Sequence, residues 1–303
     1  MRITVLRGGP SAEREVSLVS GRAVAEGLRS MGHEVFESDI SPTDLGGLDH
    51  EADVIFPVLH GQFGESGELQ EIMEERNLVF VGSGSKASRL GMDKVASKQA
   101  WEKAGLPTPT YVVLIGQRGG EGWQRVGCPC VVKAIDSGSS IDVFICKSAE
   151  EARKAVGTVV SKHGRALVEQ FIRGPELTVG ILEEKALAPI RIVPKREFFD
   201  YEAKYKDHGT EHRFDTGLAA EVIERVREIA RHANNVIGCR DLARVDFMLD
   251  EENHPYILEI NTMPGFTPVS LLPEAAKHAG IAFGALVDRL ARRAYSRGHD
   301  ATA

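Results

Sequence analysis

Residues Ala243 to Pro273 read ARVDFMLDEENHPYILEINTMPGFTPVSLLP, and the rest of the chain has to support whatever this stretch builds. Arg244 to Leu249 has the composition of a strand, DEENHP is turn chemistry, and Tyr256 to Ile260 makes a second strand, so the segment predicts a hairpin. Side chains alternate along a strand, so Glu259 and Asn261 share a face, and Asp246 can meet them from the facing strand. Two carboxylates and a carboxamide are hard oxygen donors. They suit magnesium, with phosphate oxygens filling its remaining positions, and do not suit zinc. The competing reading is an ordinary hairpin with solvated acids. Against it, Glu259 stands inside YILEIN, where an unpaired carboxylate costs roughly 2–7 kcal/mol.

The chain has 303 residues, enough for two or three domains with separate cores. Its 42% hydrophobic and 27% charged residues are typical of a globular protein in water. A net charge of -7 with no basic stripe argues against a nucleic-acid partner. No signal peptide is visible at MRITVLRGGPS, and no apolar run reaches the ~18–20 residues of a membrane span, so a cytoplasmic protein without a membrane partner is expected. Cys128, Cys130, Cys146 and Cys239 lack the further ligands of a structural zinc site and read as reduced thiols.

From the N-terminus, Ile3 to Leu6 reads as a buried strand, Arg7 to Ser11 as a loop, and a helix starts near Ala12, which opens an α/β unit. Glycines at such a turn, followed by a helix N-terminus, favour an anion, although a Gly-Gly pair is also plain turn chemistry. Val54 to Leu59 is a second strand. It delivers His60 and a glycine-rich turn ending at Gly67, the end of an open sheet where ligands sit. Val79 to Val81 closes the first unit. Gly116 to Trp123 is a glycine-rich surface loop, and Pro129 to Ala134 is a strand whose Lys133 interrupts an apolar run. Asp136 to Asp142 is a small-residue loop that reads either as a phosphate cradle presenting backbone N–H groups or as a plain hairpin loop. Ser148 caps a helix to Ser161 with Glu151 completing a capping box, and Ala166 to Phe171 is a strand. Leu218 to Ile237 has apolar residues at i, i+3, i+4 spacing, as does Ala282 to Tyr295.

RVDFML with EINTMPGFTPVSLLP, GGPSAEREVSLVSG (Gly8 to Gly21), GMDKVASKQAWEKAGLP and FFDYEAKY (Phe198 to Tyr205) together resemble the D-alanine–D-alanine ligase family of the ATP-grasp superfamily. The resemblance implies a three-part α/β architecture: an N-terminal open parallel-sheet domain over 1–88, then two α+β lobes over 89–170 and 171–303 that enclose the nucleotide. It implies ATP-dependent joining of two D-alanines through an acylphosphate, for peptidoglycan precursors. Two magnesium ions, replaceable by manganese, would sit on Asp246, Glu259 and Asn261. A homodimer is common in that family.

By the same resemblance, Glu13 grips the ammonium of the first D-alanine, His60 lies near its carboxylate, and Glu65 belongs to the supporting network. Lys94 and Lys133 reach the nucleotide phosphates, and Ser140 lies in the loop over them. Glu169, Gln170, Phe171 and Ile172 form the adenine hinge, and Glu176 holds the ribose. Ser139 bonds to Glu13 and to Tyr205, which closes the site. Lys204 meets the acceptor carboxylate or the phosphates, and Ser270 the acceptor carboxylate. Arg244 and the backbone at Gly265 stabilise the tetrahedral intermediate.

The chain departs from the family pattern at Ala134, where the family has proline, at Asp142, where it has glycine, and over 209–217. Asp142 either faces the triphosphate and weakens ATP binding, or turns away to solvent or a lysine. Two other readings compete: a ligase with a different acceptor, against which Tyr205 argues, and a non-catalytic binder of nucleotide or D-amino acid.

Overall fold

The chain is described from a computed structural model that covers residues 1–116, 122–138, 142–194, 210–267 and 269–300. Ser139, Ser140, Lys204 and Tyr205 lie outside the described residues, as does most of the Gly116 to Trp123 loop.

Strands β1 (Arg2–Arg7), β2 (Glu34–Asp39) and β3 (Val54–Pro57) pair in parallel in the order β2-β1-β3. Parallel neighbours need a crossover, and α1 (Arg14–Ser30) supplies it between β1 and β2. Its buried face, from Ser17 to Leu28, includes Gly21, where an added Cβ would come within 2.6 Å of Arg7. The last helix, α8 (Phe283–Asp300), returns to cover this first unit. Leu286, Val287, Leu290 and Ala294 share one core cluster with Ile3, Val5, Val24 and Phe56. Ion pairs fasten α8 along its length: Asp288 to His33 (2.6 Å), Arg289 to Glu183 (2.5 Å) and Arg297 to the fully buried Asp241 (2.6 Å). Val79 to Val81, which closes this unit, joins the sheet through a bridge from Phe80 to Ile55, and Gly82 then turns the chain with φ +97°.

The second sheet is antiparallel in the order β4-β7-β5-β6, from β4 (Tyr111–Ile115), β5 (Cys130–Lys133), β6 (Val143–Cys146) and β7 (Arg165–Gln170). Helix α5 (Ala149–His163) covers it with Ala152, Val156 and Val159. Ser148 Oγ accepts from Glu151 N (3.3 Å), while the Glu151 carboxylate accepts from Lys147 N (2.6 Å), one residue earlier than a capping box requires.

The third sheet runs β11-β10-β8-β12-β13, all antiparallel, with β9 (Lys185–Ala186) beside β8. Its members are β8 (Glu176–Leu182), β10 (Ile190–Val193), β11 (Glu211–Arg213), β12 (Leu242–Leu249) and β13 (Pro255–Asn261). Helix α6 (Ala220–Ile237) lays Val226, Ala230, Ala233 and Ile237 on Leu177, Val179, Val245 and Phe247. That leaves the other face of β12 and β13 for chemistry. Between the first two sheets run α2 (Glu68–Glu75), α3 (Ser85–Met92) and α4 (Lys94–Lys103), and α7 (Leu271–His278) follows the hairpin. Trp101, fully buried, anchors α4 by donating from Nε1 to the Ala233 carbonyl at 3.3 Å.

Candidate active site

The hairpin forms as its alternation predicts, with Asp246 opposite Glu259 and Arg244 opposite Asn261. Residues opposite one another and residues two apart share a face, so all four polar groups point the same way. Asp246 accepts from Arg244 Nε (2.9 Å) and Nη2 (2.8 Å) and from Thr178 Oγ1 (2.6 Å) on β8. Lys94, 8% exposed, places its ammonium 3.2 Å from Glu259 and donates to the Ser137 carbonyl at 2.7 Å. Asp93 orients that lysine by capping α4, its side chain accepting from Val95 N and Ala96 N at 2.9 Å each. Each hairpin carboxylate is therefore met by a protein cation, and the oxygen donor set fits a divalent cation.

The N-terminal unit reaches the same cleft. An added Cβ on Gly61 would lie 3.3 Å from Glu13 Oε2, and one on Gly138 would lie 3.4 Å from it, so that carboxylate rests between the 60–67 turn and Gly138. His60 is 6% exposed and, among the described residues, has no hydrogen-bond partner at Nε2. Burial pushes its pKa down, with Arg244 adding to that, while Glu13 and the Met263 carbonyl oppose it. A neutral His60 presents Nε2 as an acceptor, which suits a substrate N–H or O–H, whereas holding a carboxylate would require the imidazolium.

Glu65 accepts from Gly61 N at 2.6 Å and lines the cleft. Desolvation, reinforced by Glu13, pushes its pKa up to about 8. A Glu65→Gln variant should keep turnover within about threefold at pH 7, where a group titrating near 8 is already mostly protonated. The folded state holds this proton up to about pH 8 and the unfolded chain only to its ordinary value of 4.5, so wild type loses stability as pH rises through that window. Melting curves at pH 5 and 8.5 check this: wild type should lose more Tm than Glu65→Gln, and equal losses would mean that Glu65 is ionised at neutrality.

On the nucleotide side, Glu169 is 2% exposed, with Lys133 Nζ 2.6 Å from one oxygen and Lys98 Nζ 2.6 Å from the other. The two ammonium groups and the carboxylate thus form one buried cluster of charges. Residues 170–176 link the second sheet to the third. The link depends on Gly174, where a Cβ would come 2.1 Å from the Leu249 carbonyl oxygen. Gln170 donates from its backbone N to Thr110 O (2.8 Å), Phe171 is half-buried, Ile172 is buried, and Glu176 begins β8 opposite Met248.

Gly265 and Ser270 come together beyond the hairpin, where a Cβ on Gly265 would lie 2.9 Å from Ser270 Oγ. That hydroxyl accepts from Thr267 N at 3.0 Å and precedes α7. A larger depression, about 390 Å³, lies beside Glu74, Lys86 and Arg240, but Glu74 there is spent on Ser85 N (3.0 Å).

Two contributors escaped the reading of the residues. Thr178 is one ordinary threonine on an apolar strand until β8 pairs with β12. Lys98 carried a legible signal, since Lys94, Lys98 and Trp101 fall at i, i+4, i+7 on one helix face. Asp142 resolves in favour of the second alternative. Its φ is +56°, a region glycine favours, and its carboxylate accepts from Lys162 Nζ (2.8 Å) and meets His163 Nε2 (2.7 Å). The Lys162 ammonium, aided by His163, holds its pKa below the ordinary value. Asp142→Gly should therefore leave the ATP KM within about twofold and cost only the ~0.2–1 kcal/mol of an exposed ion pair. A tenfold lower KM at fixed magnesium would show the charge facing the triphosphate instead.

Residues 100–292 match the family model for the D-ala D-ala ligase C-terminus. A D-alanine–D-alanine ligase of Gloeobacter violaceus is 42% identical over 97% of this chain and 99% of its own length. Among solved structures, the D-alanine–D-alanine ligase of Bacillus anthracis superposes with a TM-score of 0.89 at 33% identity, covering all of both chains. The structure of a Bacillus anthracis ligase complexed with ATP gives 0.88 at 30% identity, also over 100% of each chain. With the same fold and close sequence similarity over almost its whole length, the chain belongs to the D-alanine–D-alanine ligase family.

Proposed function

We propose that the protein uses ATP to join two D-alanines into D-alanyl-D-alanine, the dipeptide of peptidoglycan precursors, releasing ADP and phosphate. The observation that carries this reading is the convergence of Glu13, Lys94, Arg244 and Glu259 from separate parts of the chain on one cleft. The three parts are 1–88, 89–170 and 171–303, although α8 of the last packs on the first.

A carboxylate oxygen of the first D-alanine attacks the γ-phosphorus as ADP leaves. The amine of the second then attacks the acyl carbon, and phosphate departs with that oxygen. Glu13 holds the first ammonium, and His60 accepts from the substrate beside it. Lys94 and Lys133 draw the phosphates into line, and the 169–172 link and Glu176 hold the nucleoside. Arg244 and the Gly265 backbone meet the oxyanion of the tetrahedral intermediate, and Ser270 steadies the acceptor carboxylate. Ser139, Ser140, Lys204 and Tyr205, outside the described residues, keep the family roles given above. Divalent cations on Asp246, Glu259 and Asn261, when bound, neutralise the charge of the transferred phosphoryl group. Catalysis rests on positioning and fixed charges, with no covalent enzyme intermediate.

No described helix is long and apolar enough to cross a membrane, and a cytoplasmic homodimer goes with this reading. ADP release with ATP and magnesium tests it: release should require D-alanine, and D-lactate should be a poor second substrate. Equal use of both acceptors would favour the broader ligase, and no release with either would favour the non-catalytic binder.

A further inference from the structure

Lys98 is fully buried, a full turn along α4 from Lys94, and its surroundings leave it no route to a ligand. Its ammonium donates to Thr108 Oγ1 at 2.6 Å and lies 5.7 Å from the Tyr111 ring centroid, and Thr108 in turn donates to the Ile257 carbonyl at 2.9 Å. It also meets Glu169 Oε1 at 2.6 Å. Lys133, on the other oxygen, sits at the end of β5 where the 134–138 connection begins, and keeps 8% of its side chain open. Two buried cations thus share one buried carboxylate.

That surplus has a use. A single lysine opposite Glu169 could not leave for a phosphate without stranding a carboxylate in the interior, which is strongly unfavourable. With Lys98 pinned by Thr108, the carboxylate stays compensated wherever Lys133 goes. We infer that Lys98 is a positioning residue of the nucleotide site: its fixed ammonium holds Glu169 in place and frees Lys133 to engage the triphosphate. A charged Lys98 near neutrality agrees with this, since burial brings it down only to about 8, and the two ammonium groups keep Glu169 below its ordinary value despite its desolvation. The inference rests on the assignment of Lys133 to the phosphates.

The test is a set of variants of the full chain assayed by steady-state kinetics with separate titration of ATP and D-alanine. Lys133→Met should raise the ATP KM, and an unchanged value would remove the phosphate assignment and the inference with it. Lys98→Met should raise the ATP KM about tenfold or more, with kcat at saturating ATP within about threefold and the D-alanine KM unchanged, because Glu169 then retains Lys133. Adding Glu169→Gln to Lys98→Met should bring the ATP KM back to that of Glu169→Gln alone, a rescue that a loss of packing would not give. A Lys98→Met KM within twofold of wild type, or a double variant whose losses simply multiply, overturns the inference. Should Lys98→Met not fold, Thr108→Val, which keeps the volume and removes the hydroxyl that fixes the ammonium, should raise the ATP KM about threefold with the same split; no change there also overturns it.

Discussion

Glu259→Gln should cut turnover with ATP, magnesium and D-alanine by about a hundredfold or more while shifting stability by no more than about 1 kcal/mol. The two effects separate because Glu259 serves the cleft and not the core. Its side chain is 24% exposed and its partner across the cleft is the Lys94 ammonium at 3.2 Å. Glutamine keeps the volume and one oxygen, so the strand and its pairing with Asp246 survive. What it removes is a full negative charge from the donor set that neutralises the developing phosphoryl charge, an effect of several kcal/mol, with each 1.36 kcal/mol worth tenfold. A rate near wild type at saturating magnesium would take Glu259 out of the metal site.

Asp241→Ala should be the most damaging change to stability outside the hydrophobic clusters, costing about 3 kcal/mol. Asp241 is fully buried. Its carboxylate takes Arg297 through both oxygens (2.6 and 3.0 Å) and the Gly82 N–H at 2.8 Å, and Arg293 stands 3.5 Å away. Alanine leaves those donors facing nothing and must also hold φ +65°, where a short polar side chain is tolerated better. The loss would loosen α8 from the turn that precedes β12 and release the Gly82 N–H. At roughly 2–4 °C per kcal/mol the melting temperature should fall by about 6–12 °C. A shift under 2 °C in a thermal melt would mean that α8 is held by its apolar face alone. Arg297 is one-third exposed, so water meets part of the cost and the figure sits at the low end for a broken buried pair.

What could be read from the sequence was local. The β12–β13 hairpin, the α5 cap at Ser148 and the buried stripe of α6 follow from alternation, turn residues and helical period, each within about twenty residues of chain. The family motifs also supplied candidate residues far apart in sequence, and several of these meet in one cleft. Nonlocal packing was not legible. Nothing in GHDATA or its approach says that α8 will cross back to α1, because the complement to its apolar face lies over two hundred residues away. Thr178 gains its role only through the register that sets it opposite Asp246. Lys98 shows how a burial default misleads: lysine on an amphipathic helix is ordinarily a surface charge, and only the carboxylate brought by β7 makes its burial tolerable. At Asp142 the opposite holds, since a departure from the family's glycine keeps that residue's backbone conformation and turns the charge to α5.

The measurement closest to the chemistry uses D-alanine labelled with oxygen-18 in its carboxylate, with ATP and magnesium, followed by mass spectrometry of the inorganic phosphate. Phosphorylation of the first carboxylate predicts one labelled oxygen in phosphate for each dipeptide formed, since the oxygen that attacks phosphorus leaves with it. Dipeptide formed with unlabelled phosphate would contradict an acylphosphate route.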